Sequence, residues 1–406
     1  MEKTNRIQFA CPDYGAEERQ AVIDVLDSGW LTTGDQCAAF ETEFAQAIGV
    51  DHALAVNSCT AAMHLALEAL TVGPRDMVVT TPYTFAATAS VILHVGAIPI
   101  FVDITADTLN IDVNQLADVL SKLRSHQGNP AKHGSTRTAK AVMPVHIAGH
   151  PCPRDEIYQL AEEFQLAVVE DAAHAFPASS RGRPVGKTCN NAVRSAACFS
   201  FYATKTITTG EGGMLVTDDD DLIDRARIMS LHGLSKDAWA RYSSSGSWRY
   251  DIIAPGFKYN MTDMAAALGR VQLRRAYEMR SRRSEIAEKY NAAFSSVDAL
   301  TIPSVLSDTE TAWHLYQLRI PKGRRAAHNR EDFISSLNNS GIGTSVHFIP
   351  LHLQPYYQNT FGYAPSDFPV STAEFEREIS LPIYSSMTDH EVERVIEAVL
   401  IAASRF

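Results

Sequence analysis

The spacing of apolar residues changes period repeatedly along the first two hundred positions. Helical spacing runs over Glu17–Leu26 and Phe40–Ile48. From there, short apolar runs alternate with helical stretches. The pattern predicts strands over His52–Val56, Met77–Thr80, Ile98–Val102, Val142–His146 and Leu166–Glu170, and helices over Thr60–Leu70, Ala86–Val95 and Arg154–Phe164. Short apolar strands joined by helices belong to a parallel sheet covered on both faces, so the chain reads as α/β. Two polar stretches interrupt the rhythm. Ser121–Lys140 reads as a helix end followed by a surface loop. Ser235–Arg249 reads as a long loop whose Trp239, Tyr242 and Trp248 either anchor it or make a binding lid or subunit contact. From Thr262 to Phe294 the pattern is helical. Beyond it come a strand near Leu315–Ile320, a helix near Arg330–Asn339, a strand near Thr344–Phe348 and a final helix from Asp389. This divides the chain into a large domain over 1–265 and a smaller C-terminal α/β domain over 266–406.

Composition narrows the function classes. With 45% apolar and 20% charged residues, the 406-residue chain has the balance of a globular protein. A net charge of -11 and the lack of a long basic run argue against nucleic acid as a partner. No stretch approaches the roughly 20 apolar residues of a membrane helix. The six cysteines form no CxxC pair and no metal-ligand spacing, which points to free thiols, a cytoplasmic setting and no metal site.

Three segments carry candidate chemistry. In VVEDAAHA, an apolar strand ends in Glu170 and Asp171, where ligands of open α/β sheets bind. Alone, Asp171 reads as a helix N-cap. In SFYATKTITTGEGGMLV, Lys205 lies between two strand-like runs and is followed by Gly210, Gly212 and Gly213. A lysine buried there would have a depressed pKa and act as a nucleophile toward carbonyl groups; the plain alternative is a solvated lysine in a hairpin. In NSCTAAMHLAL, a strand ends, small polar residues follow and a helix starts. That turn suits a phosphate, although Ser58 or Thr60 could equally be an ordinary N-cap. The order is what adds specificity. A phosphate-type turn, then a strand-end carboxylate, then a lysine 34 residues later (171 to 205) matches a pyridoxal-phosphate (PLP) site.

At these residues, and across nearly the whole chain, the sequence resembles the DegT/DnrJ/StrS-type sugar aminotransferases, which are PLP enzymes of fold type I. The motifs include SGWLTTG, PYTFAATA, PVHIAGHP and GFKYNMTDMAAALGRVQL. The resemblance implies an aspartate-aminotransferase-like large domain with a mostly parallel seven-stranded sheet. It also implies Lys205 in Schiff-base linkage to PLP and Asp171 paired with the pyridine nitrogen. His174 would lie near the ring hydroxyl and Phe85 would stack on the ring, with Cys59, Thr60 and Ser200 at the phosphate. Asn260 would reach the phosphate of the neighbouring subunit of a homodimer. Many members carry glycine at the position of Cys59; a small Cys acting through its backbone N–H should serve. HGLSKDAW and HFIPLHLQPYY look most like members that aminate C4 of nucleotide-linked 4-keto sugars. The resemblance thus implies transfer from L-glutamate, by way of pyridoxamine phosphate, to a nucleotide-linked keto sugar. Trp30, Leu31, His314, His347 and His352 are candidate substrate contacts, and Lys258 and Arg249 candidates for a diphosphate. Two other readings remain open: a non-nucleotide ketone such as a cyclitol or aminohydroxybenzoate-type precursor, and a non-catalytic regulatory member of the same fold.

Overall fold

The computed structural model describes residues 6–125, 138–235, 250–321 and 326–405. The chain opens with α1 (Ala16–Ser28) and α2 (Asp35–Ile48). It then lays down β1 (His52–Val56), α3 (Cys59–Ala69), β2 (Asp76–Thr80), α4 (Ala86–His94), β3 (Ile98–Phe101), α5 (Val113–Arg124) and β4 (Thr138–Val142). After α6 (Arg154–Phe164) and β5 (Ala167–Asp171) comes a small hairpin of β6 (Ser179–Ser180) and β7 (Arg183–Pro184). Next come β8 (Ser195–Ser200), β9 (Gly213–Thr217) and α7 (Asp220–Ser230). The seven larger strands form one sheet in the order β1-β9-β8-β5-β4-β2-β3. All neighbours run parallel except β9, which is antiparallel to both β1 and β8. The α/β sheet predicted from the apolar runs is therefore present, and its strands are buried on both faces.

One layer of apolar packing joins α3 and α7 to the sheet, and a second joins α2 and the start of α8 (Asp263–Phe294) to the opposite face. The first half of α8 packs on α1 and α2. Its second half, with Ile286, Tyr290 and Phe294, enters a separate core. That core also holds β11 (Tyr316–Arg319), α9 (Ala326–Asn339), β12 (Glu378–Leu381) and α12 (Asp389–Ala403). Between them lie β10 (Thr309–Glu310), which pairs with β6, and the short helices α10 (Pro355–Phe361) and α11 (Pro369–Phe375). Residue 265 falls in the first turn of α8, so one helix serves both cores. Ile7 belongs to the later core, because it pairs with Ile342 and is buried there.

Two predicted strands are displaced. The run read as Val142–His146 has its ladder earlier, in β4. Pro144 has no N–H to continue the ladder, and only Val145 makes a further bridge, to Asp171. The run near Thr344–Phe348 makes a single bridge, Ser345 to Ser380. There the backbone N–H of His347 turns to the carboxylate of Glu378 instead of to a strand. The proposed loop at Ser235–Arg249 lies almost wholly outside the described residues, with Trp239, Tyr242, Trp248 and Arg249. No helix among the described residues is long and apolar enough to cross a membrane.

The connection between β8 and β9 is held from within. Phe201 N–H donates to the Gly212 carbonyl at 2.9 Å, and Thr209 N–H donates back to the Phe201 carbonyl at 3.0 Å. Gly213, which starts β9, lies against the turn that begins α3. A Cβ there would sit 2.4 Å from the Ser58 carbonyl carbon and 2.5 Å from the Cys59 nitrogen. Both are backbone atoms and cannot swing away. Gly213→Ala is expected to cost about 2 to 3 kcal/mol by overpacking, seen as a lower melting temperature in a thermal scan.

Candidate active site

The carboxyl ends of β1, β5 and β8 open into a cavity of ≈ 490 Å³. It is lined by Ser58, Cys59, Thr60, Phe85, Asp171, His174, Ser200, Lys205, His314 and His347, among others. The alternation of side chains along β5 gives its two terminal carboxylates opposite surroundings. Glu170 is gripped by Arg154 Nε at 3.0 Å, His146 Nε2 at 3.1 Å and the Tyr158 hydroxyl at 3.0 Å. Burial alone would raise its pKa, but Arg154 and His146 outweigh that and hold it at about 2. Asp171 faces the cavity. It accepts from Thr88 Oγ1 at 2.7 Å and from the Ala173 N–H at 3.2 Å. Burial raises its pKa against those two bonds and the charge of Lys205. The Ala173 contact is the kind a capping aspartate makes, but no helix follows.

Lys205 sits in the β8–β9 connection, its N–H bonded to the Tyr202 carbonyl at 2.9 Å. Its amine lies 3.3 Å from His314 Nε2. Burial pulls the amine down to about 8, although nearby Cys59 and Asp171 act in the opposite direction. His174 Nδ1 accepts the Ala148 N–H at 3.2 Å, and its ring lies 4.4 Å from that of His314. Burial, then the Lys205 charge, pushes both imidazoles well below their ordinary range. The lysine thus faces neutral rings. His314 is fixed from behind as well: the buried guanidinium of Arg283 donates to the carbonyls of Trp313 at 3.2 Å and Ile383 at 2.7 Å.

The turn into α3 is capped by Ser58, whose hydroxyl accepts the Ala61 N–H at 3.1 Å. Of the two N-cap readings, Ser58 is the one realised. The first helical turn leaves the N–H groups of Cys59 and Thr60 without intrahelical acceptors. The Cys59 thiol turns away to the Cys198 carbonyl at 3.2 Å, and burial raises its pKa well above the ordinary value. Only its backbone is left to meet a ligand. Phe85 is 62% exposed and sits on the rim, 5.8 Å from Phe348.

Not every candidate gathers here. His352 is buried elsewhere, with Nε2 2.9 Å from Thr372 Oγ1 and its ring against Phe368. Trp30, Lys258 and Asn260 line a second cavity, of ≈ 800 Å³. In it, Asn260 Nδ2 donates to Thr33 Oγ1 at 2.8 Å and Lys258 Nζ donates to Asn260 Oδ1 at 2.6 Å. Leu31 is exposed and lines neither. Thr88, Tyr202 and Phe348 had no role in the sequence reading. The one available signal for Thr88 was a polar residue inside the apolar helix α4.

The chain belongs to the DegT/DnrJ/EryC1/StrS aminotransferase family, whose model matches residues 12–400. It is 47% identical over 401 residues to the spore coat polysaccharide biosynthesis protein SpsC of Bacillus subtilis, covering 98% of each. It is also similar to Spr1654 of Streptococcus pneumoniae, described as a sugar aminotransferase and solved in a pyridoxamine-phosphate form. There the TM-score is 0.87, with 33% identity over 98% of this chain and 99% of that one. Helicobacter pylori PseC, an aminotransferase of pseudoaminic acid biosynthesis, matches with a TM-score of 0.86 and 28% identity over 99% of this chain and 100% of that one. The protein is a PLP-dependent aminotransferase of fold type I.

Two outcomes follow from the geometry. An amine attacks an aldehyde only when neutral, so the rate at which apoprotein captures PLP should rise with pH and level off above about 8. A profile still climbing near the ordinary lysine value of about 10.4 would contradict this. Thr88→Val removes one of the two donors to Asp171. It should weaken PLP binding by about tenfold, measured by fluorescence titration of the apoprotein.

Proposed function

We infer that Lys205 is the covalent attachment point for the PLP aldehyde, that Asp171 faces the ring nitrogen, and that the first turn of α3, with Ser200, receives the phosphate. The observation that carries this is the pairing, in one buried cavity, of an amine held near neutrality with a carboxylate supported by only two hydrogen bonds. The donor set has the chemistry PLP requires. A cationic ring nitrogen would complete the half-satisfied Asp171, the free N–H groups of Cys59 and Thr60 suit a phosphate at a helix N-terminus, and Phe85 offers an uncovered aromatic face. His174, whose Nδ1 is already an acceptor, presents Nε2–H and suits the ring oxygen. Bound there, PLP supplies an aldehyde to carry the amino group and a ring to withdraw the electrons left when the donor loses its Cα proton.

The remaining chemistry belongs to the chain. Asp171, kept from water, holds the ring nitrogen protonated. Lys205 Nζ would take the proton from the donor Cα and return one to the product. His314 Nε2 lies 3.3 Å from that amine while the imidazole itself stays neutral. The donor is L-glutamate and the acceptor is the keto group, at C4, of a nucleotide-linked deoxy sugar. The relatives named as sugar aminotransferases support the sugar, and the HFIPLHLQPYY segment beside the cavity supports the position. The protein works as a homodimer in which Asn260, which lines the second cavity and not that of its own Lys205, serves the partner's phosphate.

Lys205→Ala tests the assignment. The variant should fold, lose the absorbance of covalently held PLP, and lose at least about a thousandfold in turnover. Wild-type protein offered glutamate and a panel of UDP-, GDP- and dTDP-linked 4-keto sugars, with cyclitol ketones as the contrast, should aminate a nucleotide sugar with ping-pong kinetics. Amination of the cyclitols alone would overturn the substrate reading.

A further inference from the structure

One wall of the Lys205 cavity is tied to the interior of the C-terminal core by hydrogen bonds that the reaction above does not use. His347 lines the cavity, and its ring packs nearly parallel to Phe9 with 5.2 Å between centroids. Its Nδ1 lies 2.9 Å from Ser380 Oγ, and that hydroxyl is bonded to Glu378 Oε1. The other carboxyl oxygen, Oε2, accepts the backbone N–H of His347 at 2.9 Å, and the His347 carbonyl accepts from Gln317 Nε2 at 2.7 Å. One fully buried carboxyl on β12 therefore holds both the backbone of His347 and, through a single hydroxyl, its ring. Ring Nε2 has no hydrogen-bond partner among the described residues, and it is not sealed in the interior.

A serine hydroxyl has one proton, so the chain of bonds has a direction. An ionised Glu378 can only accept. Ser380 must then donate to it and accept from Nδ1–H, which leaves Nε2 as a bare acceptor. A protonated Glu378 can donate to Ser380. Ser380 then donates to Nδ1, and Nε2 carries the proton. The imidazole is neutral in both states, because burial and then the Lys205 charge hold it down at about 4.

We propose that His347 Nε2 reads an oxygen of the keto substrate, and that Glu378, acting through Ser380, is the positioning residue that decides whether Nε2 offers a hydrogen bond or accepts one. A ketone oxygen can meet only the donor form; a sugar hydroxyl can meet either. This rests on reading the cavity as the aminotransferase site. Burial raises the Glu378 carboxyl to about 8, against its bonds to Ser380 and the His347 backbone and the charges of Arg330 and Arg319. Tyr83 also lies close enough to Glu378 to feel its charge, and Lys205, His174 and His314 interact with His347. At neutral pH the proton accordingly sits on Glu378 and Nε2–H faces the cavity; above about 8 the direction reverses.

The test is the nitrogen NMR of holoenzyme labelled with 15N-histidine, with His347 assigned by the signal missing in His347→Gln. Between about pH 6 and about pH 9, wild-type protein should move its ring proton from Nε2 to Nδ1. Glu378→Gln donates to Ser380 as the carboxylic acid does, so it should keep the proton on Nε2 throughout. Ser380→Ala should uncouple the ring from pH. In single half-reactions, Ser380→Ala should raise the half-saturating keto-sugar concentration about threefold to tenfold and leave the glutamate step unchanged. One tautomer common to wild type and Glu378→Gln at every pH, or an unaltered keto-sugar half-reaction in Ser380→Ala, would overturn the proposal. A wild-type enzyme that takes no amino group from glutamate would instead remove the functional reading, with the NMR result still deciding the coupling on its own.

Discussion

The site depends on the reversal of one strand. Every other neighbour in the central sheet runs parallel, so each connection must leave the carboxyl edge and return to the opposite one, by a helix except between β5 and β8, where the β6–β7 hairpin intervenes. β9 runs back between β8 and β1, and its connection to β8 must therefore lie across the carboxyl edge itself. That edge is where β5 ends in Asp171 and where β1 hands over to the first turn of α3. A loop crossing there brings a side chain over both, and Lys205 is that side chain. The same strand begins with Gly213, pressed against the backbone of Ser58 and Cys59, so the lysine loop and the phosphate-type turn cannot move independently.

Burying these groups creates an electrostatic problem that the fold solves by asymmetry. Adjacent carboxylates at the end of β5 would disfavour each other if both faced the cavity. Strand alternation sends Glu170 inward to Arg154 and His146, where it is ionised and fully occupied. Asp171 is left short of partners on the other side. Burial of Lys205 outweighs the pull of Cys59 and Asp171, and the imidazoles beside it are kept neutral by the same burial, so the amine loses its charge more readily than a solvated lysine. Arg283 strengthens this by spending its donors on backbone carbonyls instead of on a carboxylate near the amine. The reactivity of the site comes from groups left incompletely satisfied while their neighbours in sequence are saturated.

How much of this could be read in the sequence follows from the range of each interaction. His52–Val56 and Arg154–Phe164 were legible to the residue because their apolar period is local. Asp171 was legible because it ends an apolar run, and Lys205 because it lies between two such runs ahead of a glycine-rich turn. Pro144 displaced a strand by a missing N–H, a local cause that the apolar count overlooked. Thr88, by contrast, meets Asp171 from helix α4, and Glu378 and Ser380 meet His347 from β12. No spacing rule connects those positions. His352 shows the converse: it shares a segment with His347, yet the turn over Leu351–Leu353 carries it into the packing around Phe368.

The pairing of Ile7 with Ile342, and of Phe9 with His347, joins parts of the polypeptide that leave the ribosome far apart in time. All seven strands of the large sheet are encoded before residue 218, while more than a third of the chain is still untranslated. The wall holding His347 must wait for both the earliest segment and β12. Synthesis thus supplies every strand that frames the amine before the segments that close the cavity over it.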